Sequence, residues 1–464
     1  MRSRRTTLSG WGAWPRAESD VYRPERLRDL DAVLRTDGTL LARGLGRSYG
    51  DAALNGAGAT VLLERLDRVI AFDDETGTLT AEAGMSLADV LRTFAPRGWF
   101  PPVVPGTRHV TLGGALACDI HGKNHHRHGS IGRHVVRFTL LLASGERIVC
   151  SRTENPDAFR ATLGGMGLTG IIVDVTLRLA PLPGRRVLVD YQRTRDLEEA
   201  LAQFAADDDA YEYSVAWIDC IARGAALGRS VLMRGNWDTS PPPDAPAHPA
   251  GTAPPMRALP PAAERDLTRS PLLGVPPFAP GFLLRPSLLR LFNEVYYRQA
   301  RTAARVPTAI GAFFFPLDAI ADWNRLYGRA GFTQYQLVLP HPHGEDGVRR
   351  VLHEIARAGS ASFLAVLKRF GPGEPGQLLS FPRAGYTLAV DFPLRDSGVL
   401  PLLDRLDAIC IEHGGRVYLA KDARLPATTL PAMYPELDEW RAIREQLDPA
   451  GRFTSDQARR LRLA

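Results

Sequence analysis

Three absences narrow what this chain can be. No apolar run in its 464 residues reaches the length of a membrane span. Cysteine is scarce. Cys118, Cys150, Cys220 and Cys410 are scattered without metal or disulfide spacing, which excludes a cystine-stapled scaffold and points to four reduced thiols. The start, Met1 to Trp14, is basic but has no apolar core of a signal peptide. There is also no cluster of one charge. Lys and Arg total 57 against 51 acidic residues, yet no four basic residues are consecutive, so the +6 net charge reads as a solvated surface and not as a nucleic-acid footprint. The expected location is the cytoplasm or a membrane surface. No internal repeat is present. The hydrophobic and charged fractions, 45% and 23%, are those of an ordinary soluble enzyme of two or three domains.

What is present centres on residues 105–134, PGTRHVTLGGALACDIHGKNHHRHGSIGRH. Gly113 and Gly114 lie between short apolar stretches, where a bare backbone can approach something flat or charged. Upstream, the strand-like residues 39–43 run into GLGRSYGD (44–51), a phosphate-cradle candidate because backbone N–H groups can point at an anion. A Rossmann unit competes with this reading, since Glu64 lies about twenty residues on, where a ribose-binding acid would stand. Two features oppose it. The stretch SYGDAALNGAG is turn-rich and not an amphipathic helix, and the chain continues as a hairpin, RVIAFDDETGTLTAEAG.

Further along, residues 86–98 read as a helix with Ser86 as N-cap and Gly98 past its end. Two strands are expected around Ser144-Gly145, a helix from Asn155-Pro156-Asp157, and a second small-residue turn, GGMGLTG (164–170), before a buried strand. Residues 238–285 are dense in proline, read as a long loop unable to pair in a sheet: either a lid or an unstructured insertion. Residues 335–421 give the pattern β-α-β-β-α-β, a split βαβ sheet, with Val348, Val351, Leu352 and Ile355 on one helix face and RVYLA as the last strand. The final segment, YPELDEWRAIREQLDPAGRF, reads as helical and is expected to pack back on the first domain.

Together GLGRSYGD, PGTRHVTLGGALACDIHGKNH, GGMGLTG and YLAKD (418–422) with LDP resemble the vanillyl-alcohol oxidase family of FAD oxidoreductases. Within it they are most similar to the oxidase-subunit family of decaprenylphosphoryl-β-D-ribose 2′-epimerases. The resemblance covers nearly the whole chain except the proline-rich loop. It implies an α+β fold: a two-part FAD-binding domain of the vanillyl-alcohol oxidase type, residues 1–183 with a returning segment 416–464. A substrate domain with an antiparallel sheet, residues 184–415, lies between. It also implies oxidation of a secondary ring hydroxyl to a ketone on a polyprenyl-phosphoryl pentose, with hydride passing to the flavin. That would be the first half of a 2′-epimerisation completed by a separate NAD(P)H-dependent ketoreductase. An aldonolactone or alditol oxidase using oxygen is the alternative, and an FAD-containing membrane-surface binding protein a second. The lipid-linked sugar phosphate makes peripheral contact with an anionic leaflet a further expectation.

Carried onto this chain, the resemblance assigns cofactor contacts to Arg43, Gly44, Leu45, Gly46, Arg47, Ser48 and Tyr49 of the pyrophosphate loop. It adds Gly106, Thr107, Gly113, Gly114, Cys118, Asp119, His121, Gly122, Asn124, Gly167, Gly170, Ile172 and Tyr418. Many relatives carry a flavin-linked histidine where this chain has Arg47, so FAD is expected to be held non-covalently. Lys421, His121 and Tyr49 are the catalytic candidates; Lys123, Gln334, Gln336, Lys368 and Lys421 are the substrate candidates. Gln334 and Gln336 share a strand face by period-two alternation. The blander reading of Lys421 is a salt bridge to Asp422. The histidines 121, 125, 126 and 128 could instead hold a metal, but they crowd one turn with no second ligand cluster, so no metal is expected. Departures from the family pattern fall in the substrate pocket: Ala389 where a cysteine can stand, Phe314 for a tyrosine and Thr387 for an asparagine.

Overall fold

The computed structural model describes residues 2–240, 266–267, 271, 273–276, 284–360 and 363–463. The fold is α+β. The first part carries two sheets. One has four strands in the order Arg4–Ser9, Arg16–Tyr22, Ala59–Leu62, Leu40–Arg43. The other has five, in the order Val69–Asp73, Thr78–Glu82, Ile171–Arg178, Val135–Leu141, Arg147–Ser151. Leu40–Arg43 pairs in parallel with Ala59–Leu62, but no helix forms between them, so the Rossmann crossover does not form. The expected helix over 86–98 divides into an α-helix, Leu87–Phe94, and a 3-10 turn, Ala95–Arg97. Ser86 and Asp89 make a reciprocal capping box at its start. Pro96 has no N–H to continue the ladder, and Gly98 closes the turn at φ 83°.

The second part is one eight-stranded sheet in which every pairing is antiparallel. Its order is Ala303–Thr308, Val187–Thr194, Ser230–Trp237, Tyr213–Ile218, Ala365–Phe370, Gly385–Pro393, Phe332–Pro340, Arg416–Val417. The helices Gly344–Ala358 and Val399–Glu412 cover it, burying Val348, Val351, Leu352 and Ile355 from the first and Leu402, Leu403 and Leu406 from the second. Three expectations need correction. The domain boundary after residue 415 cuts this sheet, because Arg416 and Val417 pair with Val338 and Leu337. The strand expected over RVYLA ends at Val417, since Asp422 N–H bonds Tyr418 O and curls the backbone into a turn. Most of the proline-rich stretch 238–285 lies outside the described residues, and its reading as a lid lies there with it. Within the described remainder, Leu273–Gly274 pairs with Ile320–Ala321. That overturns the expectation that none of it joins a sheet, and the reason is local: these residues, between Pro271 and Pro276, keep their N–H groups.

The chain's end returns to its beginning. Leu40 N–H bonds Arg452 O at 2.7 Å, and Thr454 N–H bonds Leu40 O at 3.1 Å. Phe453 between them is fully buried with Leu40, Val61 and Leu141. Trp440, on the helix Leu437–Leu447, donates its indole N–H to Ala161 O at 2.9 Å. Arg460 reaches both Asp51 and Asp422 at 2.7 Å. Replacing it strands two buried carboxylates, so Arg460→Met is expected to lower unfolding free energy by about 3 kcal/mol in a denaturant titration. A loss under about 1 kcal/mol would mean that the pairing acts as an ordinary surface ion pair.

Candidate active site

The turn Tyr418–Asp422, the loop Gly44–Asp51 and the first-part segment His121–His128 converge on the face of the eight-stranded sheet. Tyr49 N–H bonds Ala420 O at 3.0 Å, and Tyr418 N–H bonds Gln336 O at 2.9 Å. Gly50 packs so closely on the turn that a Cβ there would lie 2.0 Å from Asp422 O. Ser86 and Thr111, each capping its helix, tie the strand-to-helix connections behind this junction through an isolated bridge.

Strand register brings one polar set to the same sheet face. Gln334 stands opposite Asp391, Gln336 opposite Ala389, and Lys368 opposite Thr387. Gln334 donates to Asp391 at 2.6 Å, and Tyr327 Oη donates to it at 3.0 Å. Gln336 bonds Thr387 at 3.2 Å and meets His121 Nε2 at 2.9 Å. The His121 ring sits among Phe370, Tyr418 and Phe381, its Nδ1 buried without a partner. Burial, with the Lys368, His125 and Lys421 charges behind it, holds His121 well below the ordinary histidine range, so its imidazole is neutral.

The chain contains only three lysines among its 57 basic residues, and all three are in this set: Lys123, Lys368 and Lys421. Lys421 Nζ lies 3.7 Å from the centre of the Tyr49 ring. Lys368 Nζ lies 5.7 Å from that of Phe370. Lys123 is 4.4 Å from the Phe313 ring and donates to Phe313 O. Among the described residues none of the three is in ion-pairing reach of a carboxylate; Asp422, the partner expected for Lys421, pairs with Arg460. Burial therefore pulls Lys421 and Lys123 down to about 7 and Lys368 to about 8. Asp391 partly offsets the effect at Lys421, and burial raises Asp391 itself to about 7. An arginine would stay charged here; a lysine can lose its proton.

The remaining expected residues divide by what their side chains touch. Glycine backbone is open at Gly106 and Gly167, with no atom within 4 Å of a notional Cβ, while Gly44 is pressed against Thr111. Leu45, Gly46, Arg47 and Ser48 are half-buried along the loop between these points. The Arg47 guanidinium lies 4.5 Å from the Trp11 ring centre. Tyr418 Oη donates to Cys118 O at 2.7 Å, and Thr107 Oγ1 accepts from His109 N–H. Other side chains are committed to the protein itself. Arg43 donates to Ser9 O and Ala53 O, Asn124 to Pro102 O, and Asp119 accepts from Ser130, Gly132 and Ser380. Gly113 packs on Ala83, Gly122 on Val104, Gly170 on Leu140, and Ile172 is in the core. Their contacts are all made within the protein. Burial raises the Tyr49 phenol well above 10, so it stays protonated. Phe314 is packed among Tyr213, Phe100 and Trp237.

Asp391 was not anticipated from the sequence. The signal was available: it is the one acid in the strand YTLAVDFP, and alternation from Thr387 and Ala389 puts it on the pocket face. Among the described residues no three His, Cys, Asp or Glu side chains cluster as metal ligands.

Open glycine backbone, a neutral buried histidine and three buried lysines without an ion-paired carboxylate suit a site for an anionic cofactor and an anionic substrate. Comparison with known proteins names the cofactor. A model for FAD-binding domains matches residues 21–151, and a model for D-arabinono-1,4-lactone oxidase matches residues 394–461. Decaprenylphosphoryl-β-D-ribose oxidase of Mycolicibacterium smegmatis is 40% identical over 91% of this chain and 89% of its own. An uncharacterized protein of Streptomyces coelicolor is 39% identical over 79% of this chain and 97% of its own. A D-arabinono-1,4-lactone oxidase of Yarrowia lipolytica is 30% identical over only 36% of this chain.

The lysines give a direct test, since reductive methylation with 13C-formaldehyde yields just three ε-amine NMR signals. All three should titrate near or below 8 unless an anion is present, and inorganic phosphate should raise at least one by roughly one unit. Asp391→Asn should lower one signal only, that of Lys421. The sign for stability follows. Each folded pKa lies below the unfolded one, so the unfolded chain binds more protons from about 7 up to the ordinary lysine range, and stability rises with pH across that window. Three signals titrating near 10 with phosphate absent would contradict the buried geometry.

Proposed function

This chain belongs to the family of FAD-dependent oxidoreductases that includes decaprenylphosphoryl-β-D-ribose oxidase, and from that we propose that it oxidises a secondary ring hydroxyl of a polyprenyl-phosphoryl pentose to a ketone. FAD supplies the hydride acceptor. The two-part domain of the vanillyl-alcohol oxidase type, residues 1–183 and the returning segment from about 418, would hold it, with Gly44–Tyr49, Gly106–Thr107 and Gly167 as the backbone cradle.

The observation that carries the reading is the trio of lysines. Lys421, beside Tyr49 and Asp391, stabilises negative charge developing at the hydride-accepting end of the site. Lys368 and Lys123 bind the substrate phosphate. His121, neutral and accepting the Gln336 amide N–H at Nε2, carries its own proton on the unpartnered Nδ1 and donates it to a substrate oxygen, orienting the reacting hydroxyl. Gln334 and Tyr49 are positioning residues around Lys421. The partial match to lactone oxidases favours the alternative substrate class. A lactone, however, carries no phosphate and would leave Lys123 and Lys368 without a counter-charge. A separate NAD(P)H-dependent ketoreductase completes the inversion. No helix among the described residues is long and apolar enough to cross a membrane.

Lys421→Met keeps length and removes charge. FAD content should stay near normal, and anaerobic flavin bleaching by a short-chain prenylphosphoryl pentose should slow roughly a hundredfold, about 3 kcal/mol. An unchanged limiting rate with a lower melting temperature would assign Lys421 a structural role only. Arg47 has no nucleophile for a flavin carbon, so acid precipitation should release all the FAD; a yellow pellet would refute non-covalent attachment.

A further inference from the structure

The helix Pro286–Gln299 presents its apolar residues the wrong way for a soluble protein. Only Leu289 and Asn293 are buried. Leu288, Leu291, Phe292, Val295 and Tyr296 recur at helical spacing as one continuous stripe, and all are exposed, Leu291 at 59% and Val295 at 43%. Helical side chains on a single stripe at this exposure mark an interaction surface more often than chance placement does.

We propose that this stripe is a docking face for an anionic lipid surface, placed where a lipid-linked substrate enters. The inference rests on the lipid-linked substrate class read above. Two observations support this occupant over a protein partner. The first is charge. Exposed Arg285, Arg290, Arg298 and Arg301 stand on or beside this helix, and among the described residues only Arg298 has an acidic partner, Glu294. At helical spacing Arg298 borders the stripe and Arg285 stands at its N-terminal end, whereas Arg290 points away from it; guanidinium groups at the margin of an apolar stripe suit a helix lying in the headgroup layer, where their heads meet phosphate. The second is continuity with the active site. Phe292 contacts Phe363 at 5.5 Å between ring centres, and Phe363 stacks on Tyr327 at 6.4 Å. Tyr327 Oη donates to Asp391, the carboxylate whose charge acts on Lys421. Three aromatic rings thus connect the exposed face to the site. An isoprenoid chain lying along that face would stay in contact with apolar surface while its phosphoryl sugar reached the lysines.

The test uses FAD-loaded protein and vesicles of phosphatidylglycerol and phosphatidylcholine. The wild type should float with the anionic vesicles at low salt, bind pure phosphatidylcholine at least tenfold less, and release in high salt. The variant Leu288→Ser/Leu291→Ser/Val295→Ser should lose anionic-vesicle binding at least tenfold. It should keep its flavin absorbance and its bleaching by a short-chain prenylphosphoryl pentose in vesicle-free buffer. The variant Arg285→Gln/Arg298→Gln, which leaves the stripe intact, should weaken binding and flatten its salt dependence. The proposal is overturned by equal vesicle binding of stripe variant and wild type. It is overturned equally by absence of wild-type binding, or by a wild-type dimer that the stripe variant turns into a monomer, which would make the face a contact between copies. Absence of bleaching in every variant, with vesicle binding as described, would count against the substrate reading and leave the docking face standing.

Discussion

One backbone hydrogen bond, Tyr49 N–H to Ala420 O, joins the two ends of the chain at the point where the site depends on them. The glycine-rich loop belongs to the first part and the Lys421 turn to the last. Neither has a regular element to hold it. The loop is fixed because Gly50 lets Asp422 approach closer than any side chain would permit, and because Arg460 clamps the acids at both places, Asp51 and Asp422. Behind this, Phe453 and the pairing of Leu40 with Arg452 and Thr454 close the terminus onto the four-stranded sheet. Removing the clamp would first loosen the geometry of Lys421, well before it exposed the core.

Once the two parts are joined, the electrostatics follow from what is left unpaired. Among the described residues arginines make many ion pairs with carboxylates, such as Arg460 with Asp51 and Asp422 and Arg424 with Asp407, and the lysines make none. Their ammonium groups face aromatic rings and, in one case, a backbone carbonyl, which stabilise a cation weakly compared with a carboxylate. Burial without a fixed counter-ion keeps these charges costly until an anion arrives. The binding energy of a phosphate or of developing negative charge is thereby larger than at a pre-paired site, because the incoming group supplies the missing partner.

Much of this was legible in the sequence, and the exceptions have physical causes. Period-two and period-3.6 patterns marked the strands and covering helices of residues 335–421, because those elements bury one face, while the antiparallel arrangement was what the family resemblance implied. The glycine-rich loop was legible because only bare backbone can approach an anion closely. The roles of Arg43, Asn124 and Asp119 were not. Whether a polar side chain faces a cavity or a backbone carbonyl depends on residues distant in sequence, such as Ala53, Pro102 and Ser380. The end of the last strand at Val417 was also hidden, since the turn that follows is imposed by contact with the loop at Tyr49 and not by local propensity. Asp391 is the instructive case: alternation placed it on the pocket face, but an acid in a strand carries meaning only when its partners are known.

Those partners explain why a carboxylate is tolerated in the middle of the sheet. Unpaired, it would cost several kcal/mol. Here Gln334 and Tyr327 each donate a hydrogen bond, and Lys421 supplies the nearest opposing charge. Burial raises Asp391 and lowers Lys421, so each is pushed toward its neutral form while the opposite charge of the other partly offsets the push. An anion beside Lys421 selects the ammonium form. Tyr327 completes the connection, for its hydroxyl fixes the acid while its ring stacks on Phe363, the next ring toward the exposed helix. A disturbance of that aromatic packing would therefore reach the charge balance of the site through a single side chain.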